Sequence, residues 1–140
     1  NEIEVVQLPF NIVNNQILKY INKDKIKIHV RSIFLKGILI NKVNFKNKNL
    51  TNKLHKNIDR CVNELSRDNK IDLCLNYVKS FKKINNLVVG VDSTNHLIEI
   101  NRAFNNKKLS SDEINFVNNQ FKKFNNSIYD PRKWKLNKAG

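Results

Sequence analysis

The chain has 140 residues, is 40% hydrophobic and carries a formal net charge of +14 from 26 basic and 12 acidic side chains. That length and apolar content suit one domain with a real core and exclude a disordered chain. The charge admits a nucleic-acid or anionic-membrane surface. However, Lys, Asn and Ile are spread along the whole sequence while Gly, Pro, Trp and Met are scarce, with no long block of like charge and no basic stripe interleaved with aromatics. Compositional drift therefore accounts for the charge better than nucleic-acid binding does.

Residues 2–8 form the first strand, with Ile3, Val5 and Val6 apolar and Pro9 marking its end. Asn14 and Asn15 cap a helix over residues 16–23, whose inner face is Ile17, Leu18 and Ile21. Ile26, Ile28 and Val30 alternate into a second strand, followed by an apolar loop over residues 33–40 that Lys36 and Gly37 interrupt. The polar stretch 41–49 is a surface loop pinned by Val43 and Phe45. Leu50, Leu54, Ile58, Cys61, Val62 and Leu65 share one stripe of a helix over residues 50–66. A break at residues 68–70 leads into a second helix over 71–82, with Ile71, Cys74, Leu75, Val78 and Phe81 facing in.

Residues 87–91 are a short, wholly apolar strand. Ser93 or Thr94 then caps a helix reaching Phe104. Ser110 and Glu113 have capping-box spacing at the start of a last helix, which places Ile114, Val117, Phe121 and Phe124 on one face. Trp134, in an irregular tail, buries its ring against the preceding helices.

Cys61 and Cys74 show neither metal-ligand spacing nor a disulfide framework, and read as buried thiols of a cytoplasmic protein. The longest apolar run is far short of the roughly 18 residues of a membrane span, and no signal peptide is visible. The chain contains no Met, which suggests that it does not begin at an initiator: either something is removed upstream, or it is a piece of a longer protein. The order β-α-β-α-α-β-α-α is that of an α/β fold with parallel strands. Three strands leave both outer edges unpaired, which predicts further β/α units upstream. Ligands of such sheets gather beyond the carboxyl ends of the strands, so Gln7, Asn11, Arg31 and Ser32 are where function is sought. Among the histidines, His29 reads as structural, His55 as a surface-leaning helix residue with no specific role, and His96 as the best functional candidate.

Three segments carry a resemblance. They are Val5-Val6-Gln7-Leu8-Pro9-Phe10-Asn11, Ile28-His29-Val30-Arg31-Ser32-Ile33-Phe34-Leu35-Lys36-Gly37 and Val88-Val89-Gly90-Val91-Asp92-Ser93. Together with the tail Asp130-Pro131-Arg132-Lys133-Trp134, they resemble the C-terminal part of an aldo-keto reductase, in a bacterial branch found near surface-polysaccharide genes. The resemblance implies a partial TIM (β/α)8 barrel: strands six to eight and their helices, with the N-terminal barrel units missing.

It also implies a nicotinamide dinucleotide, NADP or NAD, and a small carbonyl or alcohol substrate. Gln7 matches the glutamine that holds the nicotinamide carboxamide. Arg31 stands where many members place a tyrosine stacked on the nicotinamide ring. Ser32 and Phe34 match the loop that wraps the pyrophosphate. Gly90, Asp92, Ser93, His96 and Glu99 match the segment that meets the adenosine phosphate. Many members have a lysine at the Gly90 position and an arginine at the His96 position, so the preference for NADP is in doubt. The family's catalytic Asp, Tyr, Lys and His match nothing here; Tyr20, Tyr77 and Tyr129 fall on or after helices. No catalytic or metal-binding residue is therefore assigned, and this chain alone is expected to be inactive. The competing reading is a non-catalytic basic binding or scaffold module, possible partners of which include RNA.

Overall fold

The computed structural model describes residues 3–22, 26–41 and 48–124. The expectations for Val43, Phe45, Tyr129 and Trp134 lie outside these residues. The elements are β1 (Val5–Pro9), β2 (Lys27–Arg31), α1 (Lys48–Glu64), α2 (Lys70–Lys79), β3 (Asn86–Leu87), α3 (Thr94–Phe104) and α4 (Ser111–Phe121). The strands form one parallel sheet in the order β1-β2-β3.

The β1–β2 register pairs Val6 with Ile28, Gln7 with His29, Leu8 with Val30 and Pro9 with Arg31. The amide of Lys27 donates to the Glu4 carbonyl, and that of Phe10 to the Arg31 carbonyl. Even-numbered residues of β1 thus point their backbone groups at β2, and odd-numbered ones at the open edge. Pro9 therefore sits inside the strand without breaking it, because its missing N–H faces the unpaired side. The strand continues two residues past Gln7, which lies in its middle rather than at its end.

The same alternation divides the side chains. Ile28 and Val30 are fully buried and, with Val6 and Leu8, join the helices in one core. Gln7 and Arg31 are exposed on the other face. The sheet is covered on one side and mostly polar on the other: the alternation expected of β2 is present, while β1, expected to be a buried strand, is half exposed.

The expected helix over residues 16–23 is reduced to a single 3-10 turn, Ile17–Lys19. Of the two expected caps, Asn15 is engaged elsewhere. Asn11 Oδ1 accepts the amides of Val13 and Asn14, forming a tight turn after β1. Asn15 Nδ2 donates to Tyr77 Oη at 2.7 Å and to Asn118 Oδ1 at 2.9 Å. The segment is stitched to α2 and α4 and has no side-chain cap of its own.

The expected strand over residues 87–91 is also short. Val88 still donates to the Val30 carbonyl. Beyond that, β2 has ended at Arg31 and Ser32 turns away with φ 59°, so no ladder remains for the next residues.

The helices follow their signals more closely. In α1, Leu54, Ile58 and Cys61 are buried as the stripe predicts. In α2, every residue from Ile71 to Val78 is buried, so a helix read as one-sided is enclosed all round. Tyr77 and Phe81 pack edge to face at 5.1 Å, and Phe10 meets Phe81 at 4.9 Å. Ser93 caps α3 by accepting the His96 amide. Ser110 and Glu113 form the expected capping box on α4.

Candidate functional site

A cleft of about 960 Å³ opens beyond the carboxyl ends of the strands. Four stretches of chain line it: the loop after β2, the residues after β3, and the first turns of α2 and α3. This is where a parallel β/α sheet gathers its ligands.

The loop after β2 has an unusual backbone. Ser32, Leu35, Lys36 and Gly37 all have positive φ, at 59°, 48°, 53° and 83°. For the three that are not glycine, this left-handed conformation costs on the order of 1 kcal/mol each. Such strain concentrates at ligand-holding segments. The loop's apolar side chains fix it: Ile33, Phe34, Leu35, Ile38 and Leu39 are all buried. Asn11 Nδ2 also donates to the Ser32 carbonyl at 3.0 Å. Within the loop, the amides of Leu35, Ile38, Leu39 and Ile40 are satisfied by loop carbonyls. Those of Ile33, Phe34, Lys36 and Gly37 have no acceptor among the described residues. Irregular backbone with free amides is suited to hold an anion.

Asp92, its side chain almost fully exposed, precedes the Ser93 cap, and α3 adds Asn95, His96 and Glu99 at helical spacing. The His96 ring lies 5.9 Å from that of Phe34. Its Nδ1 is 4.0 Å from Asp92 Oδ2, and its side chain is 14% exposed. His96 Nε2 is sealed from solvent with no hydrogen-bond partner among the described residues.

Of the nine residues singled out from the sequence, Ser32, Phe34, Gly90, Asp92, Ser93, His96 and Glu99 line this one cleft. Gln7 and Arg31 do not. Gln7 is exposed in mid-strand beside His29, on the uncovered face of the sheet. Arg31 closes β2 on that same face, and its Nη1 donates to Ser32 Oγ at 3.1 Å, which places it next to the cleft's edge.

Sequence reasoning missed Lys36, Asn69 and Lys70, which also line the cleft. Lys36 read as an interruption and residues 69–70 as a linker. The available signal was the Asn69 cap, which accepts the Asp72 amide and aims the start of α2 at the cleft. Lys70 is held from behind by an ion pair with Asp59 at 2.9 Å and by His55 Nδ1 at 3.2 Å.

Burial pushes the Cys61 and Cys74 thiols up to about 12, which leaves them inert at neutral pH. Among the described residues, no three His, Cys, Asp or Glu side chains are grouped to hold a metal.

Parallel strands, helices packed on one face and a cleft at the strand ends define part of a β/α barrel. The chain belongs to the aldo/keto reductase family, whose model matches residues 1–120. In solved structures it is similar to an aldo-keto reductase from Bacillus halodurans in its holo form, with TM-score 0.70 and 12% identity over 86% of this chain and 43% of that one. The apo form of that protein gives TM-score 0.67 at 13% identity, covering 86% and 44% of the two chains. The glycerol dehydrogenase of Gluconobacter oxydans gives TM-score 0.67 at 14% identity, covering 83% and 41%. The chain thus spans less than half the length of the solved structures it matches. Among curated proteins, none matches the sequence.

Proposed function

We propose that the chain is the cofactor-binding, C-terminal part of a nicotinamide-dependent aldo-keto reductase in the cytoplasm, acting on a small carbonyl or alcohol. In this reading β1, β2 and β3 are the last three staves of the barrel. The catalytic Asp, Tyr, Lys and His belong to earlier staves. The uncovered face bearing Gln7, His29 and Arg31 becomes the lumen, where Gln7 meets the nicotinamide carboxamide and Arg31 its ring. The open edge of β1 and the exposed Val88 and Val91 are surfaces that the other barrel units cover.

The observation that carries the reading is the cleft itself, lined both by loop residues whose amides have no acceptor among the described residues and by the start of α3. That arrangement suits a pyrophosphate. The dinucleotide supplies or accepts hydride. This chain's residues bind and orient it: the loop after β2 wraps the pyrophosphate through Ser32 and Phe34, and residues 90–99 meet the adenosine.

The test uses Gly90, which lines the cleft and has no neighbour within 4 Å of where a Cβ would stand. Gly90→Phe should leave the melting temperature unchanged and weaken dinucleotide binding at least about tenfold by calorimetry, a loss of about 1.4 kcal/mol. Unimpaired binding in that variant would place the cofactor elsewhere.

A further inference from the structure

We propose that the substrate carries a carboxylate close to its carbonyl, and that Arg31 holds that carboxylate. The inference rests on the reading above, in which the uncovered face of the sheet is the barrel lumen, and it names the class of carbonyl compound. Alternation and register decide what that face carries. Gln7, His29 and Asn86 form one row across the three strands, and Pro9 pairs with Arg31 two residues further on. Lys27 lies on the same face at the start of β2. Among the described residues, no acidic side chain stands on this face of the strands.

Arg31 Nη1 donates to the neutral Ser32 Oγ at 3.1 Å, and Arg31 makes no ion pair among the described residues. Asp92, at the adjoining cleft, is 97% exposed and 4.0 Å from His96 instead. Inside a closed lumen, a guanidinium without a counter-charge is strongly unfavourable. An oxidised nicotinamide ring beside it is cationic too. A substrate that brings a negative charge relieves both. The planar fork of Arg31 matches a carboxylate, which it can grip through two parallel hydrogen bonds. A phosphate monoester carries nearly two charges, and one guanidinium balances only one. Lys27 is four residues back along β2, roughly 13 Å away, too far to supply the second.

The experiment compares two aldehyde acids, succinic semialdehyde and 4-carboxybenzaldehyde, with their neutral methyl esters, in the full-length polypeptide with its upstream barrel units. At least one acid should have kcat/KM about tenfold or more above that of its ester. In Arg31→Gln that ratio should fall at least about tenfold. Arg31→Lys should keep part of it, because an ammonium retains the charge but not the fork. Arg31→Gln lowers the net charge of +14 by one unit only, so a general attraction of anions would survive it. A second readout needs no turnover: with saturating dinucleotide, calorimetry should show 4-methylbenzoate binding more tightly than 4-methylbenzamide, and Arg31→Gln should remove the difference. Esters reduced as well as acids, neither reduced, or a ratio that survives Arg31→Gln would overturn the inference. Calorimetric binding of NAD+ or NADP+ by the same protein would then leave the cofactor reading in place. Binding of neither dinucleotide would overturn both.

Discussion

Asp72 is 2% exposed and gathers hydrogen bonds from three directions. Arg67 reaches it through two nitrogens, at 2.8 and 2.7 Å. The Asp68 amide donates to it at 3.1 Å, Asn76 at 2.7 Å and Asn106 at 3.1 Å. The carboxylate ties the end of α1 and the segment after α3 to α2. Asp72→Ala would leave Arg67, itself 8% exposed, without its partner. Loss of about 3–5 kcal/mol is expected in urea unfolding.

Burial alone would raise the Asp72 pKa, but the hydrogen bonds of Arg67, Asn106 and the Asp68 amide, with the Arg67 charge, outweigh it and hold the carboxyl below its ordinary value of 3.8. The unfolded chain therefore takes up the proton first. Stability from this group is complete above about pH 4 and is lost as pH falls through the folded value. Below about pH 4, the wild-type protein should lose stability more steeply than Asp72→Asn, measured by urea midpoints across that range.

At this scale the sequence was partly legible. The Ser110–Glu113 box is local chemistry at fixed spacing, so it could be read directly. Asp72 could not, because its partners come from positions 67 to 106.

The elements show the same division. Helices α1, α3 and α4 were readable from periodicity and caps, because both signals act within a few residues. The 3-10 turn after β1 was misread as a helix because Asn15 is claimed by Tyr77 and Asn118, far away in sequence. The loop after β2 was readable as a loop but not as a strained one. Its left-handed residues include Ser, Leu and Lys, and only Gly37 advertises that conformation. Gly37→Ala should therefore destabilise by about 1 kcal/mol through the backbone alone, since a Cβ there would meet nothing closer than 4.0 Å. In α1, Ile58→Ala removes a fully buried side chain and should cost about 2–5 kcal/mol in the same unfolding assay.

For the molecule as a whole, the parallel order of the sheet is as expected, although between β1 and β2 the connection relied on as a helix holds only a 3-10 turn. The position of the cleft also followed, because parallel strands all end on one side. Seven of the nine chosen residues meet there. Gln7 did not, because its place depends on a register in which β1 runs on through Pro9. The net charge of +14 taught little about the site, where acids and bases are mixed.

The central claim is that a dinucleotide lies between the loop after β2 and the start of α3. Amide hydrogen exchange, with and without saturating NAD+, tests it most directly. Protection of residues 32–37 and 88–99 is the result expected. Protection instead at residues 12–19 and 118–124, which line a second groove, with none in those two stretches, would contradict it.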